Sequence, residues 1–371
     1  MKKIISAGHI CIDITPVFPS GRSYGQLNDL LIPGKLINME AADVHTGGSV
    51  ANTGLALRKL GNDVRLMGKV GNDAFGGMIR DILAAHGAGG LLVDENSSTS
   101  YSVVLAIPGM DRIFLHNPGA NDSFSNADIP DDALEDAALF HFGYPPIMKK
   151  MFDDNGAELA AIFRRMKEHG IATSLDMAAV DPDSPSGRAD WMAILRATLP
   201  YVDFFVPSFE ELCYMLDRER YDRLNSKGGD MTANLDLDAE AAPLADILME
   251  LGCKIVLIKC GTSGMYYRSA GKDVLADIGK RLELDTGLWA DCSGVQPCFV
   301  PDTVRSGTGA GDTSIAAFLT AVIRGKSPAE CVALACAEGA CCVTAYDALS
   351  GIEPLEVLEA RINAGWETMK G

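Results

Sequence analysis

The stretch Ser306-Gly307-Thr308-Gly309-Ala310-Gly311-Asp312 constrains this chain more than any other. Its glycines run directly into Thr313 to Ile323, an Ala-rich apolar segment that reads as a helix, with Gly325 as its stop. Glycine lets a ligand approach the backbone, and the free N–H groups of a first helical turn attract anions. The stretch therefore suits a phosphate cradle. Asp312 has two readings. It caps the helix, as Asp commonly does. Or it takes a proton from a hydroxyl that attacks a phosphoryl group, the work that justifies a carboxylate beside an anion site.

Two commoner phosphate motifs are excluded. Gly325-Lys326-Ser327 ends like a Walker A loop, but Thr320 stands where its first glycine belongs. A dinucleotide fingerprint would follow the first strand, and Gly8 begins none. A net charge of −18 argues against nucleic acid or an anionic membrane as partner. Neither a signal peptide nor an apolar run long enough to span a membrane is evident. The ten cysteines include no Cys-x-x-Cys, which points to buried thiols in a reducing cytoplasm. The six histidines do not cluster as zinc ligands.

Strand and helix patterns alternate along most of the chain, the mark of a doubly wound α/β sheet. Residues 3–15 read as one strand, with Asp13 near an end that faces the ligand crevice. Gly47-Gly48 precedes a helix carrying Asn52, whose amide suits a sugar diol. Residues 16–45 look like an excursion, and strands at 100–107 and 112–116 flank a Pro108-Gly109-Met110-Asp111 turn. Together these form a small separate sheet. Residues 217–237 read as a mobile surface insertion. Trp289 reads as the centre of a local cluster with two cysteines.

Gly47-Gly48 with Asn52, Asn117-Pro118-Gly119-Ala120-Asn121, and Gly309-Ala310-Gly311-Asp312 together resemble the ribokinase/PfkB family of carbohydrate and nucleoside kinases. The resemblance implies a doubly wound, mostly parallel sheet flanked by helices, formed by residues 1–15, 46–99 and 117–371, with a β lid from 16–45 and 100–116. It implies transfer of the ATP γ-phosphate to a hydroxymethyl group. Asp312 would be the base, and Gly309, Ala310 and Gly311 the anion hole. Asp13, Gly47, Gly48, Asn52 and Asn121 would bind sugar. Lys259, Gly261, Gly264 and Thr308 would lie along the nucleotide. Glu211 would meet Mg²⁺ through water. Ser208 replaces the Asn of the family's Asn-x-x-Glu motif, which touches the magnesium water network. Ser306 replaces the Asp beside a monovalent-cation site, and Gly307 replaces a Thr.

The expected activity is that of an ATP-dependent sugar kinase. A nucleoside kinase is the alternative, with Phe18, Tyr24, Phe114 and Tyr144 as candidate floors for the base, and a regulatory protein without catalysis is more remote. The hairpin at 100–116 is apolar on both faces, which predicts a homodimer through the lid unless residues 271–300 cover it.

Overall fold

The computed structural model describes residues 2–19, 27–108, 112–226 and 228–369. Tyr24 and the hairpin turn at 109–111 lie outside the described residues.

The main sheet has eight strands, in the order Ser293–Gln296, Met265–Ser269, Ile255–Lys259, Phe204–Phe205, Ala172–Asp176, Ala137–Gly143, Lys3–Gly8 and Asp63–Met67. Pairing is parallel from Ile255–Lys259 to Asp63–Met67, and the two strands at the other edge are antiparallel. Strands such as Ala137–Gly143 are buried along their whole length because helices cover both faces. One face packs Ser49–Lys59, Ala310–Ile323 and Pro328–Cys342. The other packs Ala157–Glu168, Trp191–Thr198 and Phe209–Leu216. This is the expected layered α/β architecture.

Local chemistry sets the helix ends. Ser327 and Glu330 form a capping box with Pro328 at the first turn, so Gly325-Lys326-Ser327 is a helix-to-helix junction. Ser208 and Glu211 form another, with Ser208 N donating to Glu211 Oε2 at 2.7 Å.

A second sheet of four strands, Asp43–Gly47, Cys11–Thr15, Tyr101–Leu105 and Ile113–Asn117 in that order, is the lid. Residues 3–15 are thus two strands, not one. Gly8, at φ 123°, lies so near the Gly143 backbone that a Cβ would sit 2.4 Å from its carbonyl oxygen. The chain turns there, and Cys11–Thr15 leaves the main sheet for the lid. Asp13 therefore stands on a lid strand, not at the end of a core strand.

Register puts one residue from each lid strand into a row. His45, Asp13, Ser102 and His116 form a row on one face. The next row, on the other face, is Val44, Ile14, Val103 and Leu115. The Asp13 row is polar and the Ile14 row on the opposite face is apolar, with Leu115 55% exposed.

Three local expectations are refined. Trp289 is buried edge-on to Phe204 and Phe318 and belongs to the main core rather than to a separate local cluster. Residues 217–237 include the helix Arg218–Asn225, and Thr232 is buried against Gly261, with Ser263 Oγ donating to Thr232 O at 2.6 Å. The segment lies on the surface as expected, its helix carrying no buried residue, and these contacts tie it to the core. The segment 271–300 supplies an edge strand to the main sheet at the end away from Lys3–Gly8, so it is no cover for the lid.

Candidate active site

Asp312 is buried, 4% exposed, in the first turn of Ala310–Ile323. It is not a helix cap. Gly309 holds the N-cap position at φ 76°, no side chain caps that end, and a Cβ on Gly309 would strike Ala348 at 2.2 Å. The carboxylate instead accepts from three side chains brought from distant segments. Asn52 Nδ2 donates to Oδ2 at 3.1 Å, and Thr53 Oγ1 to Oδ1 at 2.9 Å. Tyr144 OH donates to Oδ1 at 2.9 Å and Oδ2 at 2.8 Å. An ionised carboxylate has about four lone-pair sites, so three donors leave one for an incoming hydroxyl.

Tyr144 reads from the sequence as a floor for a base or as lid packing, and it meets Asp312 instead. It adopts the left-handed conformation, φ 72°, directly after Ala137–Gly143, and this aims its phenol at Asp312. Burial first, then the charges of Asp312 and Asp176, holds its pKa well above the usual tyrosine range, so the phenol remains a donor.

Lys259 was expected along the nucleotide. It lies beneath the Gly-rich turn, with Nζ 3.6 Å from where a Cβ on Gly311 would stand, and 2.6 Å from Asp176 Oδ1. Asp176 was not expected at all. It is 2% exposed, and burial pushes its pKa up to about 7 against the pull of Lys259, with Glu211 and Asp312 adding to the rise. Three carboxylates, Asp176, Glu211 and Asp312, thus share one lysine, a surplus of negative charge that suits a divalent cation. Among the described residues no three His, Cys, Asp or Glu side chains converge to hold a metal directly. Glu211 uses one oxygen on the Ser208 amide. Mg²⁺ fits this donor set if phosphate oxygens carry most of it and Glu211 reaches it through water.

The Gly47-Gly48 turn is built on close approach. A Cβ on Gly47 would lie 2.1 Å from Asp13 Oδ2, and one on Gly48, at φ 85°, 2.6 Å from His9 Nδ1. Only glycines let the lid strand and the Ser49–Lys59 helix start meet this closely. Asn121 is the exception among the expected sugar ligands. It is fully buried, with its amide spent on Ile10 N, Ile10 O and Pro118 O at 3.1, 2.9 and 3.0 Å, so it ties the lid root together and has nothing to offer a sugar.

Gly261 opens the single 3₁₀ turn Gly261–Ser263 and Gly264 follows it, and Thr232 packs on Gly261. Thr308 accepts from the lid guanidinium of Arg112, a contact no motif predicted. Arg112 is set on the same inner face as Phe114 and His116 by strand alternation. Ser306 Oγ donates to Thr308 Oγ1 at 3.0 Å and accepts from Thr308 N at 3.1 Å. It shapes the loop as a neutral hydroxyl, where an Asp would have brought charge for a monovalent cation.

The model of the pfkB family carbohydrate kinases matches residues 1–354. Fructokinase-2 of Oryza sativa subsp. japonica is 27% identical over 328 residues, covering 85% of this chain and 84% of the relative. A structure of Arabidopsis thaliana ribokinase complexed with ribose and ATP superposes with a TM-score of 0.70 at 20% identity, covering 97% of this chain and 98% of that one. A putative ribokinase II from E. coli, in complex with ATP and Mg²⁺, gives 0.68 at 20% identity, covering 98% and 100%. At such identity the structures speak for the fold alone, while the family match extends over nearly the whole chain. The chain belongs to the pfkB family of carbohydrate kinases.

Proposed function

We propose that this kinase transfers the γ-phosphoryl group of ATP to the hydroxymethyl group of a sugar, with Asp312 as the base. The observation that carries the reading is the Asp312 carboxylate itself, buried at a Gly-rich helix start and oriented by Asn52, Thr53 and Tyr144 with one acceptor site left. A substrate hydroxyl filling that site donates its proton to Asp312 as its oxygen attacks phosphorus. The amides at Gly309, Ala310 and Gly311 lie where the transferring group gathers negative charge, and Lys259 adds a cation beneath them. Arg112 brings a second cation from the lid to Thr308. Glu211 would hold Mg²⁺ through water, and the ion would supply charge neutralisation at the phosphates. Asp13 on the lid's inner face binds sugar hydroxyls, and the closed lid keeps water from the phosphoryl group.

Gly261, Gly264 and Thr308 line the ATP side in this reading. The fructokinase and ribokinase relatives favour a sugar over a nucleoside. The outer row Val44, Ile14, Val103 and Leu115 supports a homodimer formed lid to lid. Ten free cysteines, most of them buried, support a reducing compartment such as the cytoplasm. No helix among the described residues is long and apolar enough to cross a membrane. ADP release measured with ATP, Mg²⁺ and a panel of D-fructose, D-ribose and adenosine tests the function. Turnover with a sugar is expected, and turnover with adenosine alone would overturn it.

A further inference from the structure

Lys259 and Asp176 stand at the carboxyl ends of two parallel strands of the main sheet, where the ligand crevice of such a sheet lies. Register puts Asp176 opposite Gly143, and the next residue, Tyr144, donates its N–H to Asp176 O at 3.4 Å. Lys259 N donates to Pro207 O at 2.9 Å, beside the Ser208 that caps the helix of Glu211. The sheet therefore fixes both backbones. It does not fix the lysine head, which hangs on a flexible four-carbon stem.

Three carboxylates act on that head: Asp176, Glu211 and Asp312. The structure shows which one takes it. Among the described residues the ammonium donates to Asp176 Oδ1 alone, at 2.6 Å. An ammonium has three protons, so two are left. Nζ lies 3.6 Å from where a Cβ on Gly311 would stand, in the first turn of Ala310–Ile323. The Lys259 side chain keeps 13% exposure against 2% for Asp176, so the lysine is the member of the pair that a ligand can reach. Burial pulls the Lys259 pKa down, but the charges of Asp176 and then Glu211 more than offset this, and the group stays an ammonium. The choice of partner matters to the base. An ammonium paired with Asp312 would fill the acceptor site that the substrate hydroxyl needs.

We infer that Asp176 is a positioning residue for phosphoryl transfer: it holds the Lys259 ammonium beside Gly311 and off Asp312, with two protons free for the oxygens of the transferring group. This rests on the sugar-kinase reading and adds a residue to it. Asp176 touches neither substrate and acts through Lys259, which meets the charge that gathers at the Gly-rich turn.

The test is steady-state kinetics on the wild type, Asp176→Asn, Lys259→Met and the double variant, with ATP, Mg²⁺ and the sugar that the wild type turns over. Assays run at about pH 8, above the pKa of about 7 to which burial pushes Asp176. Melting curves check that each variant is folded. Lys259→Met should lower kcat roughly 10²–10³-fold, the usual loss of one donor to transition-state charge. Asp176→Asn keeps an acceptor but drops the charge, and should lower kcat at least roughly 10-fold with the sugar KM unchanged, the pattern of an interaction made in the transition state. Added to Lys259→Met, the same change should alter kcat by less than about 3-fold, because residues that act as one unit are not additive. A merely structural Asp176 would not show this dependence on Lys259. If Asp176→Asn alone does not fold, Lys259→Met against the double variant still decides, since the double variant leaves no buried charge unpaired. Unchanged kcat in either single variant overturns the inference while the sugar-kinase reading stands. So does a further fall of roughly 10-fold in the double variant, the result that a metal ligand or a second base at Asp176 would give. A wild type that phosphorylates no sugar overturns both.

Discussion

Replacing Asp312 with Asn tests the proposed mechanism most directly. The substitution keeps size and shape but removes the proton acceptor. Its structural cost can be worked from the four contacts at the carboxylate. Asn52 Nδ2 and the Tyr144 phenol need oxygen to donate to, and the remaining Oδ2 position can supply it. The new amide NH₂ then falls on the Thr53 side, where a hydroxyl can reverse and accept. At most one bond is left unmade, a stability loss of about 1–3 kcal/mol. The catalytic cost is larger. A positioned base contributes about 10²–10⁴-fold, or about 3–5 kcal/mol of barrier. ATP affinity should hold or improve, because a negative charge near the γ-phosphate is gone. The assay is ADP release at saturating ATP and sugar, beside a thermal melt showing that the variant is folded. Turnover within a few-fold of wild type in a folded Asp312→Asn protein would refute the base assignment, and with it the mechanism.

Two further outcomes follow from other parts of the molecule. Glu338 is fully buried on Pro328–Cys342; the Glu353 amide lies near, but neither carboxyl oxygen makes a hydrogen bond, and burial pushes its pKa up to about 8. The folded state therefore holds a proton that the unfolded chain releases above about pH 4.5. This contribution is fully present below that pH, declines by ~1.4 kcal/mol per unit as pH rises, and is gone above about 8. Urea midpoints across that window should fall more steeply for wild type than for Glu338→Gln, and matching slopes would exclude the buried acid as their source. At the lid, Leu115→Asp places a charge in the exposed apolar row and should turn a dimer into a monomer by light scattering at micromolar concentration. A wild-type protein that is already monomeric there would rule out the lid-to-lid interface.

The sequence alone determined the features that depend on local order. Alternating strand and helix periods required a layered α/β fold, because each pattern buries one stripe or face against a neighbour. The Gly-rich turn running into an apolar helix marked a candidate anion site, since amide geometry at a helix start is encoded within a few residues. Only the tertiary structure decided what surrounds that site. Nothing local shows that Asn52, Thr53 and Tyr144 meet on Asp312, or that Asp176 pairs with Lys259, since these partners lie between 83 and 260 positions apart along the chain. The break at Gly8 looked like continuous strand because its cause is a contact with Gly143, on another strand. Asn121 carried the look of a sugar ligand, yet its amide is consumed by the backbone of Ile10, which the chain brings over from 111 residues away. The inner and outer rows of the lid needed strand register as well as alternation. Side-chain direction repeats every two residues along a strand, but which residues of four strands stand side by side is set by pairing between segments far apart in the chain.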